Sequence, residues 1–194
     1  MNDPLIYALI DRELLTRYDT PLEQVLEFLD THAIPIAQYR DKHGSDDEVA
    51  RTLRSIRKHY RGTLVVNDRL ALAPLADGLH LGQEDLVALD PDPAAAVAKV
   101  RETLGKKLLG LSTHDAEEIA TANSLDLDYI GLGAYRPTTT KADAVTRGEA
   151  LLEIARASRH PVAIIGGVRW EDEFPEPIRY KVLGSALFER VAAS

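Results

Sequence analysis

Apolar residues in this chain fall into short uninterrupted runs, and between the runs they recur every third or fourth position. Leu5–Ile10 is the first run and ends at Asp11-Arg12, a pattern that predicts a buried strand. Asp19-Thr20-Pro21 then supplies a cap and a first-turn proline for a helix carrying Leu22, Val25, Leu26 and Leu29 on one face. Ile34–Gln38 predicts a second strand running into Tyr39-Arg40-Asp41-Lys42. Ser45 and Glu48 form a capping box before Val49, Leu53 and Ile56. The strand Leu64–Val66, a brief helix Leu70–Leu75 cut by Pro74, and the strand Leu79–Leu81 follow.

The alternation persists to the C-terminus. Asp92-Pro93 opens a helix through Val97, Val100 and Leu104, and Leu108–Leu111 is a strand ending in Ser112-Thr113-His114. A helix from about Asp115 leads to the strand Tyr129–Leu132, then Gly133 and a loop ending in Pro137-Thr138-Thr139-Thr140-Lys141. Thr146 and Glu149 form a second capping box before Leu151, Leu152, Ile154 and Ala155. Val162–Ile165 is a strand ending in Gly166-Gly167, and Lys181–Leu183 is the last, closing on Gly184-Ser185 before a terminal helix. Between these two strands, Trp170 to Pro177 carries two prolines and four acids, so any helix there is degenerate.

About eight βα units without a linker or low-complexity segment predict a parallel sheet in one domain, residues 1–194. Length alone favours an open doubly wound sheet, because (β/α)₈ barrels typically run to about 250 residues. The repeat count and the short connections outweigh it. The expected fold is a compact (β/α)₈ TIM barrel with a degenerate helix between its last two strands.

Composition narrows the function classes. The formal net charge of -8 disfavours nucleic acid and anionic membranes as partners. The chain has no cysteine, which excludes disulfides, thiolate metal sites and a cysteine nucleophile. No apolar run approaches the roughly 20 residues that span a bilayer, and Met1-Asn2-Asp3-Pro4 lacks the pattern of a secretory signal. A soluble cytoplasmic protein is expected.

Polar clusters follow the strands, whereas the segments before the strands are plainer. In a (β/α)₈ barrel those C-terminal strand ends carry the active site. Two of them, Asn67-Asp68 and Gln83-Glu84-Asp85, put Asp68 and Asp85 at neighbouring strand tips, where they can share a hard cation such as Mg²⁺. Arg40 and Lys42 point to one side of an extended segment and, with Lys141, can clamp a polyanion. Gly166-Gly167 and Gly184-Ser185 follow the last two strands, where barrels often hold phosphate on backbone N–H groups and a helix N-terminus. His114 is either a general acid or base or a cap for the next helix. His80 lies within a strand and is expected to be a hydrogen-bonded core residue. No Gly-rich dinucleotide loop, P-loop or nucleophile elbow is present.

These residues sit in strings that resemble the thiamine-phosphate synthase family, whose relatives include the thiazole tautomerases. The strings are Tyr7-Ala-Leu-Ile-Asp11, Gln38-Tyr-Arg-Asp-Lys42, Val66-Asn-Asp-Arg69, Asp77-Gly-Leu-His-Leu-Gly-Gln-Glu-Asp85, Gly110-Leu-Ser-Thr-His114, Asp128-Tyr-Ile-Gly-Leu-Gly133, Pro137-Thr-Thr-Thr-Lys141 and Ile164-Ile-Gly-Gly167. The resemblance implies a transferase that joins a hydroxymethylpyrimidine diphosphate to a thiazole phosphate and releases pyrophosphate. It implies that Gln38, Arg40, Lys42, Asn67, Ser112 and Lys141 contact the pyrimidine diphosphate, with Arg40, Lys42, Ser112 and Lys141 serving catalysis. Asp68 and Asp85 would hold Mg²⁺. Thr138 and Thr140, with backbone at Gly167, Gly184 and Ser185, would hold the thiazole phosphate. Small phosphorylated molecules are thus the expected partners, and a homodimer is a compatible assembly. The chain departs from the family at Arg136, where an aromatic is usual, at Ala134, where proline is common, and at Ala33-Ile34-Pro35, where the usual pair is Gly-Gly. Two other readings stay open: a thiazole tautomerase using His114, and a non-catalytic paralogue that binds a phosphorylated thiamine precursor.

Overall fold

Inward and outward positions alternate along each strand, as a closed sheet requires. In β1 (Leu5–Asp11), Tyr7 and Leu9 belong to a small interior cluster, whereas Ala8 and Ile10 join the larger layer beneath the helices. The same division runs through β2 (Ile36–Arg40), β3 (Thr63–Asn67), β4 (Gly78–Leu81), β5 (Leu108–Thr113), β6 (Tyr129–Leu132), β7 (Val162–Ile164) and β8 (Ile178–Leu183). These strands pair in parallel, in chain order, into a closed barrel in which β1 also pairs with β8. The computed structural model describes residues 3–137 and 148–194. It is the (β/α)₈ barrel that the repeat count predicts.

The helices form the outer layer. They are α1 (Arg12–Arg17), α2 (Leu22–Thr31), α3 (Asp46–His59), α4 (Gln83–Leu89), α5 (Pro93–Leu104), α6 (Ala116–Ala122), α7 (Ala150–Ala155) and α8 (Ser185–Ala192), with a 3₁₀ turn at Leu70–Leu75. The capping box of α3 is formed: Glu48 N–H donates to Ser45 Oγ at 3.3 Å and Ser45 N–H donates to Glu48 Oε2 at 2.8 Å. That start sets the helix phase that buries Val49, Leu53 and Ile56 on the barrel, each worth roughly 1.5–3 kcal/mol of apolar transfer. Asp92 caps α5, with Pro93 in its first turn.

Several local expectations are corrected. The segment after β1 turns at once into α1, because Asp11 accepts from Glu13 N–H at 2.8 Å and caps it. Pro21 itself is the N-cap residue of α2, with no side-chain cap, since the Thr20 hydroxyl donates back to the Tyr18 carbonyl at 3.1 Å. β2 starts at Ile36 rather than Ile34 and reaches Arg40, which makes Arg40 a strand residue. Gln83-Glu84-Asp85 is the first turn of α4 and not a strand tip. Glu149 is the N-cap residue of α7 and makes no side-chain cap there; Thr146 lies outside the described residues.

No helix separates β7 from β8, as the sequence predicts. Side-chain ties hold that connection instead. Trp170 Nε1 donates to the Ala186 carbonyl at 2.8 Å and its ring meets Phe28 edge-on. Lys181 Nζ donates to the carbonyls of Trp170 and Asp172 at 2.5 and 3.2 Å. Arg136 grips Asp172 with two nitrogens at 2.6 and 2.9 Å, which holds the Asp172 carboxyl below the usual carboxylate range.

Candidate active site

Strand register sets which side chains share the C-terminal rim. Asp11 pairs with Arg40, Asn67 with His80, and Ser112 with Gly131. Arg40 is only 9% exposed and Asp11 1%, and they form an ion pair through Arg40 NH1. A guanidinium buried this deeply needs such a counter-charge. Asp11 was named in the sequence only as the end of a strand and of a family string, with no role in the site. Its signal was available, since Asp11 ends its strand as Asp68 follows its own.

Beside this pair lie Asn67, Asp68 and Asp85. Asp68 has a left-handed backbone (φ 61°), and its N–H donates to the His80 carbonyl at 2.8 Å. That turn places its carboxyl beside that of Asp85 and close to Asn67. Burial first, then the charge of Asp85 and the bond to it, push the Asp68 carboxyl up to about 6; Arg40 and Asn67 act in the opposite sense. Asp85 reaches the site from α4, with Oδ2 accepting from Gly82 N–H at 3.0 Å. The two aspartates therefore meet as expected, although Asp85 arrives from a helix turn. Among the described residues no group of three or more acidic or histidine side chains converges as a ready-made metal cage. Two carboxylates pressed together fit a hard divalent ion that takes its remaining ligands from substrate phosphates and water.

Gln38 and Ser112 lie at opposite ends of a buried polar chain. Gln38 Nε2 donates to Tyr7 Oη at 2.9 Å, Tyr7 and Tyr129 hydroxyls meet at 2.9 Å, and His80 contacts Tyr129 Oη through Nδ1 and Ser112 Oγ through Nε2, both at 3.0 Å. His80 is thus the hydrogen-bonded core residue expected. The two tyrosines were invisible as site residues, because a lone Tyr in an apolar run reads as core. Gln83, from α4, donates to the Ser112 carbonyl at 2.6 Å.

The structure does not bring every candidate to this group. Lys42 is exposed in the bend after β2, because the strand stops at Arg40 and the extended alternation stops with it. His114 neither caps α6 nor stands free: Asp115 is the cap, and Glu118 accepts from both His114 N–H and Nδ1 at 2.7 and 2.9 Å. Thr138, Thr140 and Lys141 lie outside the described residues.

The opposite arc is built from backbone. Gly167 has φ 62°, and a Cβ there would sit 2.7 Å from Arg136 Cβ and 3.1 Å from the Pro137 carbonyl, so the turn excludes other residues. Its carbonyl accepts from Arg136 NH1 at 3.0 Å. Gly184 is the N-cap residue and Ser185 the first residue of α8. Gly167 and Ser185 line one open cleft of roughly 640 Å³ together with Arg136, Arg169, Trp170 and Arg190. Arg136 stood out in the sequence only as a departure from the family pattern, and Arg169 and Arg190 had no assigned role.

Residues 6–191 match the family described as thiamine monophosphate synthase. The chain belongs to that family. It is 38% identical over 173 residues to the thiamine-phosphate synthase of Persephonella marina, an alignment covering 86% of this chain and 78% of the relative. It is 36% identical over 173 residues to the enzyme of that name from Clostridium tetani, with the same coverage. Among solved structures, a thiamine phosphate pyrophosphorylase from Pyrococcus furiosus superposes with a TM-score of 0.71 at 22% identity, covering 97% of this chain and 96% of that one, a likeness of fold. Within the family, the departures at Ala134 and Arg136 acquire a local sense. Arg136 provides the fork that ties the β6 loop to Asp172, and a Cβ on Gly166 would meet Ala134.

Proposed function

We propose that this protein is a thiamine-phosphate synthase, a transferase that joins a hydroxymethylpyrimidine diphosphate to a thiazole phosphate. The observation that carries the reading is the Asp68–Asp85 carboxylate contact beside the buried Arg40, at the rim of a barrel of this family. Asp68 and Asp85 would hold Mg²⁺, which when bound offsets negative charge on the departing pyrophosphate. Arg40, held in place by Asp11, adds a fixed positive group on the same side. Lys42 and Lys141 complete the cation set on the family resemblance. Gln38, Asn67 and Ser112 are suited to orienting the pyrimidine end. Gly167, Gly184 and Ser185 offer backbone N–H groups for the thiazole phosphate, with Thr138 and Thr140 assigned there by motif.

In the reaction the bond between the pyrimidine methylene carbon and the diphosphate oxygen breaks, and its electron pair leaves with pyrophosphate. The ring-stabilised methylene cation is then attacked by the thiazole nitrogen, forming the carbon–nitrogen bond. No protein nucleophile is needed, in keeping with a chain that has no cysteine and no nucleophile elbow. A cytoplasmic setting goes with this reading, and no helix among the described residues is long and apolar enough to cross a membrane. The test is product formation from both substrates with Mg²⁺. Thiamine phosphate and pyrophosphate should appear in equal amounts and disappear with EDTA. Folded protein that gives no product at saturating concentrations of both substrates would overturn the reading.

A further inference from the structure

Arg69 directly follows Asp68 at the end of β3. Its backbone N–H donates to the Asn67 carbonyl at 2.8 Å, which closes a tight turn around Asp68 at φ 61°. A non-glycine residue at positive φ persists only where its surroundings hold it. On one side the His80 carbonyl holds the Asp68 N–H at 2.8 Å. On the other, the Arg69 side chain, 21% exposed, crosses from this turn to the bend after β2. There Nη2 donates to the carbonyls of Asp41 and Gly44 at 3.0 and 2.6 Å, and Nη1 pairs with Asp46 in the first turn of α3. The ion pair is exposed on the Asp46 side and contributes little. The two carbonyls matter more, because they belong to irregular backbone outside any helix or sheet ladder.

The bend is a defined turn in its own right. Asp41 Oδ1 accepts from the His43 and Gly44 N–H groups at 3.1 and 2.8 Å. A Cβ on Gly44 would sit 2.4 Å from Asp41 Oδ2, so the turn leaves no room for a side chain there. Lys42 lies within this turn, and Arg69 grips carbonyls on either side of it. One guanidinium thus joins the turn that carries Asp68 to the bend that carries Lys42. We propose that Arg69 is a positioning residue that locks these two segments together, so that Lys42 and Asp68 meet one diphosphate as a unit. A lysine on a loose bend loses backbone as well as side-chain freedom on binding, and fixing the bend beforehand removes part of that cost. Arg69→Lys would keep the charge but not the fork, because an ammonium lacks the planar set of donors that spans two carbonyls and a carboxylate. The consequence for the diphosphate rests on the proposed synthase reading, whereas the anchoring of the bend does not.

Three measurements test it. In the metal-free full-length protein, Arg69→Met should quicken amide hydrogen exchange at His43 and Gly44 about tenfold, the scale of one hydrogen bond to a charged group. The amides of β3 and β4 should stay as protected as in the wild type. Unchanged exchange at both His43 and Gly44 would overturn the anchoring. The second measurement is calorimetry of pyrophosphate binding with Mg²⁺ present. Lys42→Ala and Arg69→Met should each weaken binding about tenfold. The double variant should be no weaker than either single one, because Lys42 has already lost its aim. Losses that multiply to about a hundredfold would make the two residues independent and overturn the proposal. In steady-state assays, the third, Arg69→Met should raise KM for the pyrimidine diphosphate and leave KM for the thiazole phosphate unchanged. An equal rise in both would mean a loosened barrel and would overturn the positioning role. Arg69→Lys should repeat the pattern at smaller size, and it takes the place of Arg69→Met if that variant does not fold. If the wild type binds no pyrophosphate, the synthase reading fails, and hydrogen exchange still decides whether Arg69 anchors the bend.

Discussion

The two arcs of the barrel rim present different chemistry. From β1 to β5 the rim offers side chains: Asp11 and Arg40 as a buried pair, Asn67 with Asp68 and Asp85, and His80 with Ser112. From β6 to β8 the described rim offers backbone: Gly167 in a left-handed turn and the first turn of α8. The first arc is supported from within, its charged and polar groups being held by partners on neighbouring strands and, for Asp68, on the first turn of α4. The second is supported from outside, by Arg136 on Asp172, Trp170 on Ala186 and Lys181 on two carbonyls. A buried charge needs a partner at fixed distance, which a regular barrel interior supplies. A backbone anion site needs only the chain path, and side-chain ties can hold that path where a helix is missing.

Breaking the inner support should cost most. Arg40→Ala strands Asp11 as an uncompensated buried carboxylate, with an expected loss of about 3 kcal/mol in urea unfolding at pH 7. Restoring most of it in the double variant Arg40→Met, Asp11→Asn, which keeps a capping side chain for α1, would show that the pair serves the site more than the fold. A loss within error for Arg40→Ala would mean that the two arcs do not differ in this way. The second arc should respond less in stability and more in binding. Gly167→Ala forces a side chain into a positive-φ turn at a cost of about 1–2 kcal/mol. It should raise KM for the thiazole phosphate while leaving KM for the pyrimidine diphosphate near its wild-type value.

The smallest effect concerns pH. The Asp68 carboxyl stands at about 6 against an ordinary 3.8, so between those values the folded form holds more protons than the unfolded form. Stability of the metal-free protein should therefore fall as pH rises from 3.8 towards 6 and level off above that. Asp68→Asn should remove this slope and gain about 1 kcal/mol at pH 7, solvent screening at a half-buried site holding the effect to that size. Urea titrations at pH 4, 5.5 and 7 measure it, and an unchanged slope in Asp68→Asn would assign the dependence elsewhere.

Much of the fold was legible from local pattern. Ser45 and Glu48 announced α3, Asp92-Pro93 announced α5, and the crowded prolines and acids before β8 announced the missing helix, because caps and breakers act within four residues of themselves. The errors share one cause. Asp85 looked like a strand tip and Lys42 like an extended-strand neighbour of Arg40, since sequence alone does not show where a strand's hydrogen-bonding partner ends. Tyr7 and Tyr129 looked like core because their hydroxyl partners lie on other strands; the two are 122 positions apart in the chain.

The sequence by itself determined the eightfold alternation, the family strings and the polar character of the strand ends, all of which depend on residues near one another in the chain. Only the closed barrel decided which of those ends face each other. Register set Asp11 against Arg40, a left-handed residue turned Asp68 onto Asp85, and the shared interior joined Gln38 to Ser112 through three buried rings. Hydrogen bonds and ion pairs act over about 3 Å, and distances of that order between remote residues exist only once the sheet has closed.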